Sequence, residues 1–181
     1  MLSHEVSLIS DNEISAFTEI VLNNAPKRFW VEPASSTGKY HPHSSNGISG
    51  LVMHTRQVFH IAKAILDTGV FDANRDIVLS ACLLHDIAKY DDNSRSKYTV
   101  RDHAGKAVEY ISELSNIKDF MSIYDRVPDW FHEIMYCISR HDGKFNKKNT
   151  ERLNAEQSIV HLADYIASRR WCGFDYERIR R

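Results

Sequence analysis

The spacing of apolar residues along the chain predicts a helical protein. Apolar side chains recur every three or four residues, as they do on one face of a helix, and no stretch alternates apolar and polar residues as a half-buried strand does. Seven helices are predicted, over residues 12–24, 51–67, 75–89, 102–115, 117–124, 128–140 and 154–170. We therefore expect an all-α fold, a bundle of about six or seven helices around one core.

The ends of these helices and one long connection add detail. Asp11 or Asn12 can cap the first helix, since short polar side chains accept hydrogen bonds from the free N–H groups of a first turn. Asn154 can cap the last helix in the same way. Residues 26–50 are rich in Pro, Gly and Ser and predict a long irregular segment, and such segments are often functional.

Composition narrows the class of protein. The 181 residues are 43% hydrophobic, which suits one globular domain over residues 1–181. The formal net charge of -1 lacks the basic excess of a protein that coats nucleic acid. Three cysteines without a Cys-x-x-Cys pair exclude a disulfide framework and a zinc ribbon, and indicate a reducing compartment.

The N-terminal sequence lacks the basic start and the long apolar stretch of a signal peptide. The most apolar run, Ile77 to Leu84, is too short to cross a bilayer. We therefore expect a cytoplasmic protein without a membrane partner.

Histidine and aspartate residues stand at the ends or on the inward faces of five predicted helices. They are His54, His85, Asp86, His103, His141 and Asp164. Buried ionisable groups are costly unless they are paired, so we expect a divalent metal, or a pair of such ions, as their partner. Imidazole and carboxylate ligands together suit Mn, Fe, Co, Ni or Zn.

The order of these residues resembles the HD superfamily of metal-dependent phosphohydrolases. His54 is followed by the pair His85-Asp86 and then by the distant Asp164, and "HDIAK" at residues 85–89 is similar to the "HDIGK" signature of that family. His103 and His141 match extra histidines of its two-metal members. The resemblance covers about residues 35–170 and implies an HD-domain-like helical bundle.

The resemblance also implies which residues hold each ion. The first ion is expected at His54, His85, Asp86 and Asp164, and the second at Asp86, His103 and His141. Asp86 would then bridge the two ions and be a catalytic residue. Asp142 stands where many relatives have a second histidine, so a third ion is not expected.

Phosphate contacts require positive charge and hydrogen-bond donors. Lys89 is the first choice and the second catalytic residue, because it lies four residues after His85 and would share its helix face. Further residues are expected to bind substrate; they are Lys39, His41, His43, Lys144 and Arg169.

The favoured function is hydrolysis of a phosphoester bond of a nucleotide through a metal-activated water. One alternative is a 3′-to-5′ exonuclease or phosphodiesterase on single-stranded nucleic acid, since "GKYHPHSSNGISGLVMHT" at residues 38–55 is similar to a segment of bacterial exoribonuclease HD domains. A di-iron oxygenase and a catalytically inactive nucleotide sensor are further alternatives. The apolar residues of 120–136 leave open whether the protein forms an oligomer.

Overall fold

A computed structural model describes residues 2–39, 41–143 and 152–172. Within these ranges the regular structure is entirely helical, and no helix is long and apolar enough to cross a membrane. The described residues form nine α-helices: α1 (Ser3–Val6), α2 (Asn12–Asn23), α3 (Lys27–Val31), α4 (Gly50–Asp67), α5 (Arg75–Leu84), α6 (His103–Glu113), α7 (Ser115–Met121), α8 (Asp129–Arg140) and α9 (Ala155–Ala167). A short 3-10 helix spans His43–Ser45.

The all-α prediction is confirmed, and each of the seven predicted helices has a counterpart. The expected number of six or seven was too low, because α1 and α3 have only 4 and 5 residues and are too short to show an apolar period. Helix α3 and the 3-10 helix lie within residues 26–50, which were expected to be irregular.

Two predicted caps are present. The carboxylate of Asp11 accepts hydrogen bonds from the backbone N–H groups of Glu13 and Ile14 at the start of α2, at 2.9 and 3.1 Å. Asn154 and Gln157 cap α9 reciprocally, each side chain accepting a hydrogen bond from the other residue's backbone N–H. These local interactions set where the two helices begin.

Helix α5 is the centre of the bundle. It packs against α2, α4, α8 and α9, and its residues from Ile77 to Leu84 are all buried. On the α2 side, the ring of Phe17 contacts Trp130 and Phe131 of α8, with centroids 5.4 and 5.6 Å apart. These two aromatic residues of the 120–136 stretch are half-buried and pack against the core.

The predicted helix 75–89 ends early, at Leu84. The backbone N–H groups of Ile87 and Lys89 donate to carbonyls three residues back, at 3.1 and 3.0 Å, so the chain continues in tight turns. A hydrogen bond from the N–H of Val100 to the carbonyl of Lys89, 2.9 Å long, holds this segment to the following loop. The apolar period continues through Ile87 and did not reveal this ending.

Candidate metal centre

All six residues expected to bind metal lie close together inside the bundle. His54 comes from α4, His85 and Asp86 from the turn after α5, His103 from the start of α6, His141 from the end of α8, and Asp164 from α9. Only one pair is adjacent in sequence. The packing of α5 against α4, α8 and α9, and of α6 against α8, brings the others together.

One cluster surrounds Oδ2 of Asp86. Nε2 of His85 lies 3.3 Å from this oxygen and Nε2 of His54 lies 3.6 Å from it. Oδ1 of Asp164 lies 3.0 Å from Nε2 of His54 and 3.8 Å from Nε2 of His85. Two imidazole nitrogens and two carboxylate oxygens thus face a common space, in the combination that the sequence predicted for a first ion.

A second cluster surrounds Oδ1 of Asp86. Nε2 of His103 lies 3.3 Å and Nε2 of His141 lies 3.7 Å from this oxygen, and the two nitrogens are 3.1 Å apart. The ligand atoms of His54, His85 and Asp86 lie within 4.8 Å of one another, and so do those of Asp86, His103 and His141. Because its two oxygens face different clusters, Asp86 is placed to contact two ions at once.

The orientation of two histidines fits metal binding. Nδ1 of His85 lies 2.8 Å from the carbonyl oxygen of Cys82, and Nδ1 of His141 lies 2.7 Å from that of Ile138. A carbonyl oxygen only accepts hydrogen bonds, so Nδ1 carries the proton in both rings. In the neutral form of each ring the lone pair of Nε2 faces the centre, and a hydrogen bond from Nδ1–H is the usual support of a metal-bound imidazole.

Several polar atoms of the centre are buried without satisfied hydrogen bonds. Nδ1 and Nε2 of His54, Nε2 of His85 and Oδ1 of Asp86 make no hydrogen bond of acceptable geometry to any described residue. An unsatisfied buried polar group costs about 1–3 kcal/mol, and such groups are uncommon in folded proteins. Divalent metal ions would supply the missing partners, so the residues present fit such ions.

The two carboxylates are held in their charged forms. Burial by itself raises the pKa of Asp86, but Lys89 and His85 outweigh it and hold the pKa well below the usual range. Burial also raises the pKa of Asp164, and its contact with His54 outweighs burial and lowers it. Both groups are therefore ionised near neutral pH, as metal ligands must be.

The histidines differ in their protonation. Burial lowers the pKa of His54, and burial together with the neighbouring His85 and His103 lowers the pKa of His141 to about 4. Burial alone would also lower the pKa of His85, but the adjacent Asp86 carboxylate outweighs it and raises the pKa. His54 and His141 are thus neutral near pH 7, whereas His85 holds a proton more strongly.

Lys89 lies beside the centre as predicted, but a turn rather than a helix places it there. The sequence placed it on a helix face with His85. Because α5 ends at Leu84, Lys89 instead reaches Asp86 across a turn, and its ammonium donates to Oδ2 at 2.6 Å. The lysine is therefore the direct cationic partner of the carboxylate expected to bridge the ions.

The three loop residues before α4 that are expected to bind substrate differ in their position relative to the centre. His41 lies against the first cluster, with its ring centroid 4.9 Å from that of His54 and its Nε2 3.4 Å from Oγ of Ser168. Lys39 and His43 are exposed, and neither side chain makes a hydrogen bond or ion pair within the described ranges. Only His41 of these three contacts a residue expected to bind metal.

Two other residues expected to bind substrate lie near the C-terminal end of the chain. The guanidinium of Arg169 stacks on the ring of the exposed Tyr165 at 4.1 Å, and its Nε donates to the Tyr165 carbonyl at 3.1 Å. Lys144 lies outside the described residues. A substrate contact stays a prediction for both.

Asp142 is a member of the centre that the sequence did not suggest. It was interpreted only as the loss of a histidine, yet its Oδ1 lies 3.2 Å from Nε2 of His103 and 3.5 Å from Nε2 of His141. Burial raises the pKa of Asp142, but the contacts with these two histidines outweigh it and lower the pKa. Its adjacency to His141 at a helix end was the available signal.

His161 supports this end of α8. Its Nδ1–H donates to the carbonyl oxygen of His141 at 2.7 Å, and its ring lies over Gly143. Gly143 has a φ of +54°, and a Cβ atom there would lie 2.3 Å from Cε1 of His161. A glycine is therefore required where the chain turns beneath the imidazole.

Comparison with known proteins gives one match. A family model described as the HD domain matches residues 51–169, which include all six residues expected to bind metal. No curated protein and no solved structure matches the chain.

Proposed function

Because the chain belongs to the HD-domain family, we propose that it is a metal-dependent phosphohydrolase that cleaves a phosphoester bond of a nucleotide. One observation carries the proposal: Oδ1 and Oδ2 of Asp86 face two different groups of imidazole nitrogens. A carboxylate so placed is suited to hold two divalent ions side by side, as two-metal phosphoesterases require.

The ions, when bound, provide a water of lowered pKa and positive charge for the phosphoryl oxygens. His54, His85 and Asp164 would hold the first ion, and His103 and His141 would hold the second. Asp86 would serve both sites.

Two further side chains act on the substrate. Lys89 donates to a phosphate oxygen, since its ammonium already lies at this end of the centre. His41 contacts the substrate beside the first ion, since its ring lies next to His54 and its Nδ1 makes no hydrogen bond within the described residues.

The shape of the centre favours a small substrate. The side chains of His54 and His85 are fully buried, whereas those of Asp164 and His103 are each 21% exposed. Substrate therefore approaches from the side of Asp164 and His103. A recessed centre whose ligands are at most partly exposed accommodates a terminal phosphate or a small nucleotide more readily than the interior of a long strand.

A hydrolysis screen with added Mn²⁺ tests the proposal. The substrates are nucleoside mono- and triphosphates, cyclic nucleotides and an end-labelled single-stranded oligonucleotide. Each is incubated with the wild-type protein, with Asp86→Ala and with Asp67→Ala as the matched control. Asp67 is exposed and pairs on the surface with Lys63 and Arg75, so its loss leaves the centre intact.

Turnover of a small nucleotide that is lost in Asp86→Ala and kept in Asp67→Ala is the expected result. Stepwise shortening of the oligonucleotide with release of mononucleotides would instead identify an exonuclease. Equal turnover in Asp86→Ala and the wild type would contradict the assignment of the centre. No turnover, with two irons bound per chain, would make the oxygenase the better assignment.

A further inference from the structure

The carboxylates of Asp142 and Asp86 both approach Nε2 of His103 and Nε2 of His141 in the second cluster. Oδ1 of Asp142 lies 3.2 Å from Nε2 of His103 and 3.5 Å from Nε2 of His141. Oδ1 of Asp86 approaches these two nitrogens at 3.3 and 3.7 Å. Each of these two imidazole nitrogens is therefore approached by two carboxylates, those of Asp86 and Asp142.

The side from which Asp142 approaches distinguishes a ligand from a supporting residue. A carboxylate that supports a metal-bound histidine accepts a hydrogen bond from the ring nitrogen that faces away from the metal. In His141 that nitrogen is Nδ1, and the carbonyl oxygen of Ile138 already occupies it at 2.7 Å. Asp142 faces Nε2, the nitrogen directed at the centre.

The backbone around Asp142 is held in place. The carbonyl of the preceding His141 accepts the hydrogen bond from His161, and Gly143 turns the chain directly afterwards under the same imidazole. The side chain of Asp142 is only 17% exposed. Its carboxylate is therefore directed inward by a braced segment.

We propose that Asp142 is a ligand of the second ion, so that this site consists of Asp86, Asp142, His103 and His141. The inference rests on the metal-dependent function proposed above. Replacing an imidazole by a carboxylate adds a negative charge and a hard oxygen donor, which favours oxygen-binding ions such as Mn²⁺. The second site is accordingly expected to bind Mn²⁺ better than a site built from three histidines and one carboxylate would.

Metal binding without substrate tests the inference. Metal-free protein is titrated with Mn²⁺ by calorimetry, and the bound Mn²⁺ is examined by electron paramagnetic resonance. The variants are Asp142→Ala and Asp142→His. Asp129→Asn is the matched control, because it changes an exposed aspartate at the other end of the same helix, α8. Circular dichroism verifies that each variant is folded.

The wild type and Asp129→Asn are expected to bind two ions and to show the signal of a coupled Mn²⁺ pair. Asp142→Ala should keep the first ion and bind the second more weakly. The loss of affinity should exceed the range of about 10- to 100-fold that is typical of a residue that only supports a ligand. The spectrum of this variant should be that of isolated Mn²⁺. Asp142→His should regain the second ion, with a ratio of Zn²⁺ to Mn²⁺ affinity higher than that of the wild type.

Two ions bound by Asp142→Ala with wild-type affinities would overturn the inference, and so would a single ion bound equally by the wild type and Asp142→Ala. These results are separable from the proposed function. Loss of the second ion in Asp142→Ala, without hydrolysis of any phosphoester by the wild type, would contradict only the function. Hydrolysis by the wild type, with both ions kept in Asp142→Ala, would contradict only the inference.

Discussion

The ammonium of Lys89 lies 2.6 Å from Oδ2 of Asp86, the oxygen that also faces His54 and His85. Without a metal ion, Lys89 is the nearest cation to this buried carboxylate, and the imidazole of His85 supports it. With a metal ion bound, the ion also balances the charge of this carboxylate. The contribution of Lys89 to stability should therefore depend on metal, while its contribution to phosphate binding should not.

Replacing Lys89 by Met should lower the stability of the metal-free protein by about 3 kcal/mol, because it removes the nearest cation from the buried charge of Asp86. Saturating Mn²⁺ should remove most of this difference. Turnover should remain low even at saturating Mn²⁺, because the phosphate contact is lost. Thermal unfolding with EDTA and with Mn²⁺, together with kcat, measures these effects. Lys89→Arg is the control that keeps the charge, and equal metal-free stability of Lys89→Met and wild type would contradict the pairing.

The substitutions of His41 and His43 are predicted to differ in their effect on kcat/KM, although the sequence pattern assigns both residues the same role. Burial, and then the neighbouring His54, lowers the pKa of His41 to about 3, so its ring is neutral near pH 7 and able to contact the substrate. His41→Ala should lower kcat/KM by about 10- to 100-fold, the effect of losing one hydrogen bond to a charged group. The number of bound metal ions should not change.

The exposed His43 supplies the matched control. His43→Ala should match the wild type in both kcat/KM and metal content. Loss of an ion in His41→Ala would instead show that His41 binds metal.

Gly143→Ala should weaken the second ion site. The new Cβ would meet the ring of His161, and the displaced segment carries His141. We expect Mn²⁺ binding at the second site to fall by about 10- to 100-fold, as for other residues that position metal ligands. Titration with Mn²⁺ measures the change. Gly47→Ala is the control, because nothing lies within 4 Å of a Cβ atom at that position.

The double variant Gly143→Ala/His161→Ala tests whether this clash is the cause. Removing the imidazole relieves the clash, so the double variant should lose less affinity than the sum of the two single losses. Neighbouring residues typically show coupling energies of about 0.5–3 kcal/mol. Additive losses would indicate that the strained φ of Gly143, rather than the contact with His161, causes the defect.

Metal affinity should increase with pH through the neutral range. Burial lowers the pKa of His85, but Asp86 outweighs it and raises the pKa above the ordinary 6.5. Metal must displace this proton at lower pH, so affinity should rise with pH until His85 is deprotonated in the free protein, and then level off. His54 and His141 should not contribute to this rise, because the pKa of each is lowered.

Calorimetric titration with Mn²⁺ in buffers of different ionisation enthalpy measures the number of protons released. About one proton per chain is expected below the pKa of His85, and none well above it. His43→Gln is the control, since His43 is exposed and makes no contact with the expected metal ligands within the described residues. An affinity that is constant from about pH 6 to 8 would contradict the raised pKa.

The amino-acid sequence by itself determined most of the helices and the residues that gather at the centre. Apolar periodicity and local caps such as Asp11 and Asn154 depend on residues close together in the chain. They can therefore be identified from the sequence alone. His85 and Asp86 are recognisable because a polar pair directly after a buried apolar run requires a partner.

Only the tertiary structure decided where the chain leaves α5 and which side chains meet around the centre. Lys89 pairs with Asp86 because the chain turns after Leu84, and the apolar pattern continues through that turn. Asp142 faces His103 because α6 and α8 pack together, and His41 rather than His43 reaches His54 because of the path of its loop. Such relationships depend on packing between residues far apart in the chain, and a local sequence pattern does not predict them.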